Sequence, residues 1–163
     1  MIQENVVIKS IKIEDHFQIV SELMRLLHEN EREMFDKTAL WVDIEQSYMR
    51  HCIATQQECN GTFLMAYINE KAVGFIFGYT EEQDDSRTET YTNKELYISD
   101  GFVLPKYRRQ GIYKQLNEII ERIYIEKGVR RITRFVQCKN EGMQNLLAEQ
   151  GYFATRILFE KWL

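Results

Sequence analysis

Residues 103–116 read "VLPKYRRQGIYKQL" and place Lys106, Arg108, Arg109 and Lys114 around Gly111, immediately ahead of an apolar stripe. The stripe, Ile112, Leu116, Ile119, Ile120 and Ile123, has helical spacing. The first N–H groups of a helix have no partners inside it, and the helix dipole favours negative charge there. A glycine lets a bulky phosphate approach the backbone, and arginine offers planar donors suited to it. The chemistry these residues could do is to hold a phosphate-bearing ligand where a strand passes through a loop into a helix. A solvated basic loop is the competing reading. A P-loop is excluded, because no Gly-Lys-Ser/Thr follows, and so is a dinucleotide fingerprint, because Gly-x-Gly-x-x-Gly is absent.

The elements around this junction follow from periodicity. Residues 94–105 predict a strand in which Gly101 marks a bulge. The helix from Ile112 ends near Gly128, and 130–137 predicts a parallel strand completing the unit. Upstream, 5–11 is β-branched and strand-like. Residues 13–31 carry Phe17, Val20, Leu23 and Leu27 at helical spacing, 32–41 break the stripe as a loop, and 41–58 resume helix with Ile44, Tyr48 and Cys52 on one face. Residues 61–80 predict two strands joined at Asn69–Glu70–Lys71. The acidic stretch 81–93 is a loop. Residues 141–150 form a short helix closed by Gly151, and 152–163 a final strand. The order β-α-α-β-β-β-α-β-α-β predicts a mixed α/β fold around a central sheet.

A chain of 163 residues, 44% hydrophobic and 28% charged, fits one folded domain spanning 1–163. The formal charge of -4 argues against a nucleic-acid binder, and the two basic clusters "YRRQ" and "KGVRR" lie at opposite ends of one helix. Cys52, Cys59 and Cys138 form no CxxC pair and read as free thiols. His16, His28 and His51 lack metal-ligand spacing and read as solvated or half-buried, so no metal is expected. With neither a signal-like start nor a long apolar run, a cytoplasmic protein without membrane association is the expectation.

"FVLPKYRRQGIYKQL" resembles the acyl-CoA motif V-x-P-x-Y-R-x-x-G-x-G/A of the GNAT family of N-acetyltransferases, with Val103, Pro105, Tyr107, Arg108 and Gly111 in register. Downstream, "FVQCKNEGMQNLLAEQGY" is similar to the family's later segment, where an Asn opens a helix that ends in Gly-Phe or Gly-Tyr: here Asn140 and Gly151–Tyr152. "EKAVGFIFG" is similar to its third strand. The resemblance implies an acyl-CoA N-acyltransferase fold, a mixed sheet splayed to admit CoA and flanked by about four helices. It implies that acetyl-CoA lies along Gly101, Phe102 and Val103, with its diphosphate on the N–H groups of Arg108, Arg109, Gln110, Gly111, Ile112 and Tyr113 and its pantetheine arm near Asn140. The implied reaction is acetyl transfer from the thioester directly to a primary amine of a small molecule or amino acid. A non-catalytic acyl-CoA sensor or interaction module is the alternative.

The chain departs from the family pattern at three places. Tyr113 stands where Gly or Ala is usual and must turn away from the phosphates or narrow the site. Leu147 replaces the tyrosine that protonates the leaving thiolate in many members, and Phe135 stands where some branches have a catalytic Glu. Asp100 and Glu95 lie on the strand beside the expected acetyl group; Asp100 is a candidate base and Tyr152 a stand-in acid. The acceptor is expected against the first two helices and the loop after the third strand. Glu33, Phe35, Asp36 and Trp41 are its candidate contacts, and Glu31, Asp43, Glu81, Glu82, Asp84 and Asp85 its acidic surroundings. The resemblance also implies a homodimer through the terminal strand.

Overall fold

A computed structural model describes residues 5–82, 90 and 94–163. Five strands form one sheet in the order β1 (Val6–Ile11), β2 (Thr62–Ile68), β3 (Lys71–Glu82), β4 (Lys94–Val103) and β5 (Ile132–Thr133). The first four pair antiparallel; β4 and β5 are parallel. Helices α1 (Phe17–Met34) and α2 (Trp41–Glu58) precede β2, α3 (Ile112–Glu126) links β4 to β5, and α4 (Glu141–Glu149) follows. The mixed sheet with four helices is the predicted fold class.

Alternation along the strands divides the core in two. Phe63, Met65, Phe75, Phe77 and Phe102 point to one face, where they meet Val20, Leu23, Met24 and Leu27 of α1 and Trp41, Met49 and Cys52 of α2. Leu64, Ala66, Ile76, Leu96, Ile98 and Val103 point to the other, against Ile112, Leu116, Ile120 and Tyr124 of α3. The hairpin between β2 and β3 turns on Asn69 and Glu70, both left-handed (φ 48° and 63°), as a two-residue turn matched to strand twist requires. Cys52 is buried, Cys59 half-buried and Cys138 exposed, all as free thiols. No described helix is long and apolar enough to cross a membrane.

Four expectations need correction. Helix α1 runs three residues into the predicted break, to Met34, and stops where Phe35 becomes extended (φ -143°, ψ 106°), leaving 35–40 as the loop. Glu81 and Glu82 belong to β3, while most of the predicted loop after them, Asp84 and Asp85 included, lies outside the described residues. The bulge in β4 is at Ser99: Phe77 pairs with Asp100 and Gly78 with Ile98, whereas Gly101 stays in register with Ile76. The extra residue is therefore Ser99, which opposes no residue of β3. Finally, β5 has two residues and 152–163 form no strand. Strand propensity needs a neighbouring ladder. Ile157, Leu158 and Phe159 are consecutive, so one face could not bury all three, and they lie exposed. Trp162 packs against Phe35 (6.4 Å between rings), with the Lys37 ammonium 5.7 Å from its ring centroid.

Tyr124 ties α3 to the hairpins. Its ring is fully buried, and its hydroxyl reaches the Asn60 carbonyl, Thr62 Oγ1 (3.0 Å) and the Gly78 carbonyl (3.1 Å). Tyr124→Phe should lower unfolding stability by about 1–3 kcal/mol, the cost of stranding buried acceptors, as read from the urea midpoint at constant m.

Candidate active site

β4 ends at Val103 and passes through a 3-10 turn (Pro105–Tyr107) into the basic loop. The Arg108 N–H donates to the Pro105 carbonyl (3.2 Å), and the first α-helical bond of α3 runs from Gln115 to Gly111 (3.0 Å). Between them, the N–H groups of residues 109–114 have no acceptor among the described residues. Arg109 (φ 62°) and Gly111 (φ 77°) are both left-handed; such alternation gathers successive amides into an anion-binding concavity. Nothing lies within 4 Å of where a Gly111 Cβ would project. Of the expected diphosphate residues, Arg109, Gln110, Gly111, Ile112 and Tyr113 thus present free amides together. Arg108 does not: its Nε donates to the Val103 carbonyl (2.9 Å), and its guanidinium lies 5.2 Å from the Phe102 ring centroid.

Along its other edge β4 meets β5 only at Leu96–Ile132 and Tyr97–Thr133. Past that point the strands part, and among the described residues Gly101, Phe102 and Val103 are paired with β3 alone. Glu95 lies at the closed end, bonded to Arg131 Nη1 at 3.0 Å. Asn140 caps α4, its Oδ1 accepting from the Met143 N–H at 3.1 Å.

The Ser99 bulge resets the alternation of β4. Ile98 faces α3, and strict alternation would send Asp100 the same way. Asp100 instead points toward α2, where Tyr48 donates to its Oδ1 at 2.6 Å. Asp100 is 7% exposed, and its Oδ2, like Ser99 Oγ, is buried without a partner among the described residues. His28 sits between Trp41 (5.0 Å) and Tyr48 (4.9 Å) with neither ring nitrogen bonded. Burial holds its pKa below the usual imidazole range, against the opposing pull of Asp100. Burial, then the Asp100 charge, push the Glu31 carboxyl up to about 7. The same causes push Tyr48 far up, so its phenol stays a donor.

The sequence offered Asp100 as a candidate but gave no sign of its neighbourhood. Tyr48 falls four residues from both Ile44 and Cys52 and reads as core. His28, expected to be solvated or half-buried, is buried. Among the candidate acceptor contacts, Trp41 is buried beside His28 and Phe35 is half-buried under Trp162, while Glu33 and Asp36 are exposed. Tyr152 donates to Glu121 of α3, and Leu147 is buried.

The family model described as "Acetyltransferase (GNAT) family" matches residues 20–152. No curated protein matches the chain in sequence. Solved structures share its fold. A mutant form of the BH1408 protein from Bacillus halodurans is 21% identical at a TM-score of 0.75, with 96% of this chain and 99% of that chain covered. The aminoglycoside acetyltransferase AAC(6')-Iy, in complex with the bisubstrate analogue CoA-S-monomethyl-acetylneamine, is 18% identical at a TM-score of 0.67, with 98% and 99% covered. The aminoglycoside acetyltransferase meta-AAC0020 from an uncultured soil metagenomic sample, in complex with sisomicin, is 20% identical at 0.67, with 97% and 95% covered.

The raised Glu31 carboxyl carries a pH signature. Between its ordinary value of 4.5 and about 7, the folded chain holds a proton that the unfolded chain has released. Its contribution to stability therefore declines as pH rises through that window and is level above it. Glu31→Gln removes the decline. Its thermal midpoint relative to the parent should climb between about pH 5 and 7 and stay flat from about 7.5 to 9.

Proposed function

The chain belongs to the GNAT acetyltransferase family, and from that premise we propose that it moves an acetyl group from acetyl-CoA directly to a primary amine of a small molecule. The observation that carries this reading is the run of unpartnered main-chain N–H groups from Arg109 to Lys114 at the end of a strand with one open edge. A diphosphate answers the first feature, being anionic and rich in acceptors. A pantetheine arm, with its amides, answers the second by adding to the edge as a strand would. Exposed Arg109 and the flanking Lys106 and Lys114 add positive charge around the same turn.

The acceptor reading rests on the opposite face of β4. An ammonium answers the unpartnered Asp100 Oδ2 and lies within the field of Glu31. Neutral His28, Trp41 and Tyr48 supply aromatic surface for its carbon skeleton. An amine of ordinary pKa, about 10, must lose a proton before it attacks a thioester. Asp100 is the group to accept it, with Tyr48 fixing the carboxylate through the other oxygen. The two aminoglycoside acetyltransferases that share the fold favour a small-molecule acceptor over a protein one.

Calorimetry with CoA should give one site per chain. Gly111→Asp should weaken it by about a hundredfold or more, because it adds negative charge and an unfavourable Cβ at φ 77°. In assays with acetyl-CoA and an amine panel including sisomicin, Asp100→Asn should lower kcat/KM by about a hundredfold while CoA affinity is retained. Firm CoA binding without turnover of any amine would favour the non-catalytic module instead.

A further inference from the structure

The gap between β4 and β5 is bridged on its α3 side by a phenol and a guanidinium. Tyr113, the second residue of α3, lays its ring against the bare side of Gly101: a Cβ there would fall 2.5 Å from the Tyr113 hydroxyl oxygen. Arg134, one residue beyond β5, donates from Nη2 to that oxygen. Its guanidinium lies between two rings, 5.7 Å from the Tyr113 centroid and 5.8 Å from that of Tyr152. It is braced from behind, since Nη1 donates to Asn117 Oδ1 at 2.9 Å and the fully buried Asn117 donates in turn to Glu121 and Gln150.

The two tyrosines of this cluster differ in how their protons are used. Tyr152 spends its proton on Glu121. The Tyr113 oxygen accepts from Arg134, and its proton goes to no acceptor among the described residues. A phenol whose oxygen is gripped by a cation and whose proton is uncommitted is built to give that proton away. Burial resists this by raising its pKa, and the Arg134 charge works in the opposite direction.

We propose that Tyr113 is the proton donor to the thiolate released from acetyl-CoA, and that Arg134 is its positioning residue. This rests on the acyl-transfer reading above. The amine nitrogen bonds to the carbonyl carbon, the carbon–sulfur bond breaks, and its electron pair stays on sulfur. The Tyr113 O–H proton passes to that sulfur and yields the CoA thiol. The phenolate is held by Arg134 and regains a proton from solvent; Asp100, having passed the ammonium's first proton to solvent, takes the surplus proton on nitrogen. The assignment gives the tyrosine in the first turn of α3 a task that buried Leu147 cannot perform.

The test is calorimetry of CoA and of desulfo-CoA, which lacks only the thiol, on the parent protein and on Tyr113→Phe. The parent should prefer CoA about fivefold or more, the worth of one hydrogen bond, and the variant should lose that preference while still binding desulfo-CoA. For any amine that is turned over, Tyr113→Phe should lower kcat about 10- to 100-fold with little change in the acetyl-CoA KM, and Arg134→Met should give a smaller loss. No preference in the parent, or a preference that persists in Tyr113→Phe, overturns the proposal. So does a preference that vanishes only in Tyr152→Phe. A parent that binds neither ligand overturns the acyl-transfer reading, and this proposal with it.

Discussion

Among the described residues, strand β4 beyond Tyr97 has a neighbour on one side only. Backbone N–H and C=O groups in a partly buried strand need partners, so the open edge can accept amide-like groups laid along it. The rest of the site is arranged around it. The loop that leaves this strand turns its own amides outward at Arg109–Lys114, and the first turn of α3 leans Tyr113 against Gly101. Were β5 to extend its pairing by a few residues, the cleft would close and the free edge would disappear.

The single extra residue at Ser99 has an effect out of proportion to its size. It leaves Ile98 and Val103 packed on α3 yet turns Asp100 toward α2, so one strand serves both halves of the sheet. On the α2 face, charge is concentrated and poorly compensated: an Asp100 oxygen has no partner, Glu31 is pushed up in pKa, and His28 is held neutral. On the α3 face, the polar groups are densely bonded, from Arg134 through Asn117 to Glu121 and Gln150. Unsatisfied groups on one face and satisfied groups on the other suit the proposed site, in which one side receives a cation and the other stays rigid.

Much of this was legible from residue spacing, for reasons that can be named. Helix α2 was readable because Ile44, Tyr48 and Cys52 keep helical spacing through a stretch without glycine or proline. The strand–loop–helix junction was readable because a glycine, a proline and four cations cluster there. The bulge was read two residues late, at Gly101, because Ser99 carries no signature, and so the orientation of Asp100 could not be seen. Arg108 and Arg109 are indistinguishable as letters, but the first folds back onto Phe102 and the second takes a left-handed backbone. Tyr113 and Arg134 meet across a gap between strands, a contact that no local pattern encodes. The terminal segment misled for the opposite reason: its β-rich composition was clear, but composition does not supply a partner.

The three thiols sit at three depths, and this bears on how the chain can be handled. A chromogenic disulfide reagent that counts CoA released on turnover will also count Cys138, which is exposed. That background should be a stoichiometric burst preceding any steady rate. Cys52 is inside the core, and burial keeps its thiol protonated. Its labelling must wait for the helical layer to lift off the sheet, so the slow phase with the same reagent becomes a clock for global opening.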